Sequence, residues 1–442
     1  MANNEDKEAV KRQHAKGKLT ARERINMLLD KNTFVELNEL VELKSNNYNL
    51  QEKKKAGDGV ITGYGKINNR PVCIYAQDFT FMGGSMGEMH NLKIASIMEH
   101  ALKTGCPIIG LFDSGGARIQ EGIHGLDTGG IIFKNNTLAS GVIPQISVIL
   151  GPCAGIAVYS PALTDFVFMT KKISYMFITG PDVIKSITGE TIDFDGLGGS
   201  LAHNEKSGVA DFIAENEKEC FDMIKLLLSY LPQNNLENPV LIGTNDNPER
   251  LNNKLKNLIP KDSKKTYDVK DVIEEVVDKN TFFEIHQLYA QNVVIGLARL
   301  NNNVVGIVAN QPKILAGCLD INGSNKIARF VRFCDSFNIP LINLVDVTGY
   351  LPGVEQEHNG IIKHGAKVLY AYSEATVPKI SLVMRKAYGG AYIAMVSKDM
   401  GFDKVIAWPD IEIAVMGADQ AINIIHRKEL KGKNAEKIRK EK

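Results

Sequence analysis

The chain holds a single tryptophan, six cysteines with no C-x-x-C pair, and almost no excess of either charge. Its 442 residues carry 52 lysines and arginines against 51 aspartates and glutamates, a formal net charge of +1. A nucleic-acid binder relying on a strong overall positive field is therefore excluded. Scattered cysteines leave neither a zinc ribbon nor a disulfide framework, which fits a reducing cytosol. The polar, charged start MANNEDKEAVKRQHAKGKLTARERINMLLD is no secretory signal. No G-x-x-x-x-G-K-[ST] and no G-x-G-x-x-G occurs, so a mononucleotide P-loop and a Rossmann dinucleotide site are unsupported. Residues 135–164 carry no charge, a run long enough to cross a bilayer, but Pro144, Pro152, Pro161, Gln145 and three glycines interrupt it. PQISVIL within that run reads instead as a buried parallel strand followed by a turn.

What the chain does contain is itself, twice. KIASIMEHALKTGCPIIGLFDSGG lies over KIARFVRFCDSFNIPLINLVDVTG at the offset that carries Lys93 to Lys326 and Asp113 to Asp346. GYGKINNRPVCIYA lies over GLARLNNNVVGIVA at that same offset, and PQISVILGPCAGIA over PKISLVMRKAYGGA with one residue more. Upstream, DKNTFVEL returns as DKNTFFEI. The expectation is two copies of one domain, residues 1–245 and 246–442, joined near the Asn- and Pro-rich stretch 231–254. Each copy alternates helical and apolar strand-like segments, which predicts an α/β class with mostly parallel strands. Ligands of such sheets collect at the loops leaving the strands' carboxyl ends. The glycine-rich segments DSGGARIQEG, GPCAGIA, DVTGYLPG and KAYGGAY fall there. Near the start, Thr20 and Glu23 have capping-box spacing and open a helix expected to be peripheral.

Few side chains in these loops offer reactive chemistry. GGSMG around Ser85 has the form of a nucleophile elbow, but His124 and His203 sit in no supporting motif. A turn whose backbone approaches a ligand is the reading for Ser85. Asp113 and Asp346 begin equivalent turns and are read as caps that bond their own backbone. Glu121 is the one carboxylate of a first-copy glycine loop able to act as a base, and its repeat counterpart is Val354. His358 and His364 lack metal-ligand spacing, so no metal is expected. Cys153, with no basic neighbour in sequence, reads as a small buried residue. Arg118 is either solvated beside a tight turn or part of a backbone nest facing an anionic or carbonyl ligand.

Two small-Gly-small turns remain, Ala154–Gly155–Ile156–Ala157 and Tyr388–Gly389–Gly390–Ala391. Backbone N–H groups converging at a strand-to-helix turn make an oxyanion hole, and glycine lets a ligand come close. Two such turns suit two carbonyls, one on each of two reacting partners, without any protein acid or base.

GLFDSGGARIQEG, LASGVIPQISVILGPCAGIAVYSPALTDFVFM, SYMFITGPDVIKSITGE, GIIKHGAKVLYAYSEATVPKISLVMRKAYGGAY and AWPDIEIAVMGA strongly resemble one family. It is the carboxyltransferase subunit of biotin-dependent acyl-CoA carboxylases, propionyl-CoA carboxylase β type, together with the methylmalonyl-CoA decarboxylase α subunit. The resemblance covers nearly the whole chain. It implies two crotonase-like ββα spiral domains and a cytoplasmic hexamer, with active sites between the N-domain of one subunit and the C-domain of another. The implied reaction moves CO2 between carboxybiotin on a carrier protein and the α carbon of a short acyl-CoA, either propionyl-/methylmalonyl-CoA or acetyl-/malonyl-CoA.

Carried over by motif, Gly155 and Ile156 hold the thioester oxygen, and Gly390 and Ala391 the ureido oxygen of biotin. Ser114, Gly115, Gly116, Ala117, Arg118 and Ala154 line the acyl-CoA side, with Tyr388, Gly389 and Gly349 on the biotin side. The resemblance also implies a biotin carboxyl carrier protein and a biotin carboxylase, or membrane decarboxylase subunits, as separate chains. No biotin-acceptor MKM and no ATP motif occurs in this one.

Four features depart from the family. Ile156 replaces the second glycine of CAGG, and Thr348 replaces the proline of DVPG. Ile393 stands at a position bearing on acyl-chain choice, where strict propionyl types have Asp. The charged run HRKELKGKNAEKIRKEK ends the chain where relatives continue, so the second domain is expected to be short at its C-terminus. Three alternatives stay open: an α subunit of a sodium-pumping methylmalonyl-CoA decarboxylase running the transfer in reverse, a crotonase-type hydratase, and a non-catalytic acyl-CoA-binding homologue.

Overall fold

The computed structural model describes residues 6–262, 265–431 and 435–441. Part of the charged C-terminal run therefore lies outside the described residues. The chain forms two compact units. One runs up to Val240 and includes His286–Tyr289; the other comprises Leu241–Ile285 and the chain from Ala290 onward.

The first unit contains β1 (Val35–Leu37), β2 (Val60–Ile67), β3 (Arg70–Gln77), β4 (Ile108–Ser114), β5 (Gln145–Ala154), β6 (Phe166–Thr170), β7 (Tyr175–Phe177) and β8 (Phe212–Ala214). Among the described residues these make one sheet in the order β1-β2-β3-β4-β5-β6-β8, with β7 also paired to β5. The second unit contains β9 (Phe283–Ile285), β10 (Val293–Leu300), β11 (Asn303–Asn310), β12 (Leu341–Val347), β13 (Lys379–Tyr388), β14 (Lys404–Ala407) and β15 (Glu412–Ala414). Its order is β14-β13-β12-β11-β10-β9, with β15 paired to β13. In both units an antiparallel hairpin leads into parallel strands, β3-β4-β5-β6 and β11-β12-β13-β14. Every residue of β4 and of β12 is buried, as expected of parallel strands covered on both faces.

The repeated sequence segments carry repeated tasks. Asn68 and Asn69, like Asn301 and Asn302, take positive φ between 48° and 70° at two-residue hairpin turns, a conformation Asn tolerates. The Asp of each DKNTF segment secures that hairpin. Asp30 accepts from the N–H groups of Asn68 and Asn69, and Asp278 from those of Asn301 and Asn302. Lys93 is buried against the carbonyls of Gly57 and Val60, and Lys326 against those of Ala290 and Val293. Burial pulls their ammonium groups down, to about 8 and about 7.

The strand that carries each glycine turn changes partner part-way. Ile146–Ile149 of β5 pair with β6, while Pro152–Ala154 pair with β7. Ile380–Val383 of β13 pair with β14, while Lys386–Tyr388 pair with β15. That switch turns the strand end, and the glycine that follows it, away from the main sheet path.

The helix opened by Thr20 is not peripheral. Thr20 and Glu23 do form the capping box of the helix Ala21–Leu28, but its Arg24, Ile25 and Leu28 are fully buried. Among the described residues no helix is long and apolar enough to cross a membrane, and PQISVIL forms the start of β5.

Candidate active site

Both small-Gly-small turns lie at the carboxyl end of a parallel strand, with glycine in the left-handed region. Gly155, with φ 59°, follows β5, and Gly389, with φ 58°, follows β13. The first opens a 3-10 turn over Gly155–Val158, the second the helix Gly389–Val396. No side chain caps either start. The leading N–H groups of a helix have no intrahelical acceptor, so both turns present backbone donors. With the strands aligned, Gly155 corresponds to Gly389, Ile156 to Gly390 and Ala157 to Ala391. The pairs Gly155/Ile156 and Gly390/Ala391 thus sit one residue out of step with each other.

In the first unit Ser114–Arg118 packs onto its turn. Ser114 pairs with Cys153 in the ladder, and a Cβ on Gly116 would lie 2.8 Å from the Ala154 carbonyl oxygen. The backbone of this loop is held by rungs to the preceding turn: Gly115 N–H to the Gly83 carbonyl, Met86 N–H to Gly116, and Arg118 N–H to Met86. Ser114 Oγ accepts from Gly116 N–H at 3.1 Å. The Arg118 guanidinium is neither solvated nor free for a ligand. It is buried against Asp58 at 2.6 Å and Glu121 at 2.8 Å, and it donates to Ser85 through the carbonyl and hydroxyl oxygens. Burial raises the Asp58 carboxyl against the pull of Arg118.

Glu121 is not a free base. Its second oxygen accepts from Glu88 N–H at the start of the helix Glu88–Thr104. Among the described residues the Ser85 hydroxyl meets the Arg118 guanidinium, at 3.3 Å, and no histidine. His124 is exposed, and His203 bonds Ser207 and the Met176 carbonyl, so no elbow is assembled. Cys153 is buried, which pushes its thiol up.

In the second unit the Tyr350 ring, after β12, fills the place equivalent to Ala117. Leu319 pairs with Tyr350 as Met86 pairs with Ala117. The ring lies over the turn, 3.6 Å from where a Cβ on Gly390 would be, and its hydroxyl donates to the Gly365 carbonyl. Burial pushes that phenol up to about 12. Gly349 has φ 132° and open space at its Cβ position. Thr348 makes bonds that proline cannot, its hydroxyl meeting Cys318 Sγ at 3.0 Å and the Ala316 carbonyl at 3.4 Å. Tyr388 leads into the turn with its hydroxyl on Glu412 of β15. Burial and that carboxylate raise its phenol. Glu412 lies in a motif visible in the sequence, but its pairing with Tyr388 was not. Ile393 lies half exposed on the helix after Gly389. His358 is exposed and His364 bonds Asn325. Among the described residues no group of three or more His, Cys, Asp and Glu is placed for a metal.

Asp113 and Asp346 do not cap their own backbone, contrary to the sequence reading. Asp113 is fully buried between Lys18 at 2.6 Å, Arg24 at 2.8 Å and Gln13 at 2.9 Å. Asp346 takes Arg385 Nε at 2.9 Å, the Tyr267 hydroxyl at 2.9 Å and Lys386 N–H at 3.2 Å. The position of Arg385 is occupied in the first unit by Gly151, whose Cβ would fall 1.9 Å from Asp113 Oδ1. The first unit therefore draws its cations from the N-terminal segment.

Ile156 does not stand over its turn. Its Cδ1 lies where a Cβ on Gly129 would come within 2.4 Å, so the side chain fills the space against the helix Gly129–Ala139. Gly129→Ala is expected to cost about 1–3 kcal/mol through overpacking. Ile156→Ala in the same chain should recover much of that loss. A double-mutant cycle by urea denaturation should give a coupling of about 0.5–3 kcal/mol, and additive effects would contradict the contact.

Each of the two repeated α/β units thus ends a central strand in a glycine turn whose leading backbone N–H groups no side chain caps. The carboxyl transferase domain model matches residues 12–442, and the chain belongs to that family. It is 57% identical over 420 residues to the methylmalonyl-CoA decarboxylase subunit alpha of Veillonella parvula, covering 95% of this chain and 82% of the relative. It is 55% identical to the propionyl-CoA carboxylase carboxyltransferase subunit of Haloferax mediterranei, covering 95% and 81%. Among solved structures, the transcarboxylase 12S core, a hexamer with methylmalonyl-coenzyme A and methylmalonic acid bound, superposes with TM-score 0.95. The two are 53% identical, covering 98% of this chain and 84% of that one.

Proposed function

We propose that the protein moves a carboxyl group between biotin, held on a separate carrier protein, and the α carbon of a short acyl-CoA. The substrate pair is propionyl-/methylmalonyl-CoA or acetyl-/malonyl-CoA. The observation that carries this reading is the repeated turn: Gly155 and Gly389 at the same φ, each opening a helical start with no side-chain cap.

The first turn, through Gly155 and Ile156, holds the thioester oxygen and stabilises charge as the α carbon loses its proton or carboxylate. The loop Ser114–Gly115–Gly116–Ala117–Arg118 and Ala154 form the acyl-CoA side. Arg118 contributes backbone there, since its side chain is committed to Asp58 and Glu121. The second turn, through Gly390 and Ala391, holds a ureido oxygen, with Gly349, Tyr388 and Gly389 around it. The donor set fits such a group, because an uncharged carbonyl needs N–H donors and close approach rather than a counter-ion. Biotin supplies the carboxyl group and, through its ureido nitrogen, the base for the acyl α-proton. This chain's residues position and polarise, which accounts for loops without a free acid or base. Ile393 presents an apolar surface beside the second turn and bears on the acyl chain accepted.

The working assembly is a cytoplasmic hexamer served by a biotin carboxyl carrier protein and a biotin carboxylase. A second reading, supported by the Veillonella relative, has the same site run in reverse as the α subunit of a membrane decarboxylase. Purified protein is expected to decarboxylate methylmalonyl-CoA or malonyl-CoA faster as free biotin is added, with saturation. A folded protein that binds these thioesters and shows no biotin-dependent turnover would establish the non-catalytic alternative instead.

A further inference from the structure

The first unit contains a pair of thiols far from the glycine turns. Cys73 sits on β3, and its N–H donates to the Pro107 carbonyl at 2.8 Å. Cys106 immediately precedes that proline, in the turn between the helix Glu88–Thr104 and β4, so both thiols lie beside one rung of the ladder. This is the amino end of β4, whereas Ser114 and Ala154 mark the carboxyl ends where the candidate site lies. Cys73 is buried in the apolar cluster under the sheet, and Cys106 is half-buried and packs against that cluster. Cys73 pairs with Ile108 in the ladder, two residues after Cys106, so the two cysteines are neighbours across the start of the β3–β4 pair.

The second unit shows that the fold does not require them. Its equivalent rung, Gly306 N–H to the Pro340 carbonyl, is also 2.8 Å, but Gly306 and Ile339 replace the cysteines. Of the other four thiols, Cys153, Cys220 and Cys334 are buried, and Cys318 is held by Thr348.

We propose that Cys73 and Cys106 are a redox-active dithiol that closes reversibly to an intramolecular disulfide when a peroxide oxidises Cys106. The Cys106 thiolate attacks one peroxide oxygen, the O–O bond breaks, and the released hydroxide takes a proton and leaves as water. Cys106 is then a sulfenic acid. The Cys73 sulfur attacks the Cys106 sulfur, the S–O bond breaks, and the departing hydroxide takes the Cys73 proton as a second water. The sulfur pair loses two electrons and the peroxide gains them. The order follows from the surroundings. The neighbouring Cys73 thiol draws the Cys106 thiol below its ordinary value, which favours its thiolate, while that same pairing and burial raise Cys73. Cys106 is also the more accessible of the two.

The test is stoichiometric hydrogen peroxide added to the reduced full-length protein, followed by intact mass and non-reducing peptide mapping. The expected product is about two mass units lighter, through loss of two hydrogens, with one Cys73–Cys106 cross-link that dithiothreitol reverses. Cys73→Ser should instead leave oxygen added at Cys106, and Cys106→Ser should leave the protein unmodified at the same peroxide dose. Oxygen added at Cys106 of the natural chain without a cross-link would overturn the proposal. So would a cross-link through any other cysteine, or first reaction at Cys318.

Discussion

Gly389→Val is expected to lower carboxyl transfer by about 10²–10³-fold while the protein still folds and still binds a CoA thioester. At φ 58° a side chain pays a backbone penalty of about 1–2 kcal/mol, enough to pull the residue out of the left-handed region. A Cβ there would also sit 3.2 Å from the Val415 carbonyl oxygen, a contact tight enough that the neighbouring backbone must give by a few tenths of an ångström. Gly390 and Ala391 follow directly, and their N–H groups move with it. The loss should appear in kcat, because the donors act on charge that develops during the reaction. Gly155→Val is expected to act differently. It alters the turn assigned to the thioester, so KM for the acyl-CoA should rise as kcat falls. Steady-state kinetics on the two variants, with their melting temperatures, would check both. Equal KM effects, or transfer kept within a few-fold of the natural protein by Gly389→Val, would contradict the assignment.

Arg24→Ala is expected to destabilise the first unit by about 3–5 kcal/mol. The guanidinium makes four bonds inside the protein: to Asp113, to both oxygens of Glu217, and to the Leu150 carbonyl. Its removal leaves two buried carboxylates short of a partner, which is the costly way to break a buried ion pair. Lys18 still faces Asp113, but burial already draws its ammonium down and it does not reach Glu217 in the hydrogen-bond network. Arg24→Lys should recover only part of the loss, since an ammonium cannot present the same fork of donors. Asp113 directly precedes Ser114, so transfer should fall along with stability. Urea denaturation of the two variants measures the effect, and a change below about 1 kcal/mol would show the network to be dispensable.

Much of this was legible because the two copies reuse the same residues for the same tasks. DKNTF recurs since an Asp fastens each hairpin, and Lys93 recurs as Lys326 since each caps the carbonyls below its hairpin. The glycine turns were legible because positive φ at a strand end leaves few residue choices. The ion pairs were not. Asp113 and Asp346 look alike in sequence, yet one is matched by Lys18 and Arg24 from the chain start and the other by Arg385. No local pattern announces a partner so distant. The same holds for Arg118, whose position in a glycine loop suggests a ligand contact while Asp58, outside that loop, turns it inward. Ile156 could be named as a departure from the family, but its accommodation depends on Gly129, a glycine with no local reason to stand out.

Transfer of a carboxyl group between a CoA thioester and biotin, with the backbone donors of the two repeated turns holding the two carbonyl oxygens, is the activity proposed for this chain. Its most direct test is to incubate the purified chain with carboxyl-labelled methylmalonyl-CoA and a biotinylated carrier protein, then follow the label. Acid-labile label is expected on the carrier, dependent on its biotin, and nearly abolished by Gly389→Val. Label released at the same rate without biotin, or none transferred by a folded protein that binds the thioester, would contradict it.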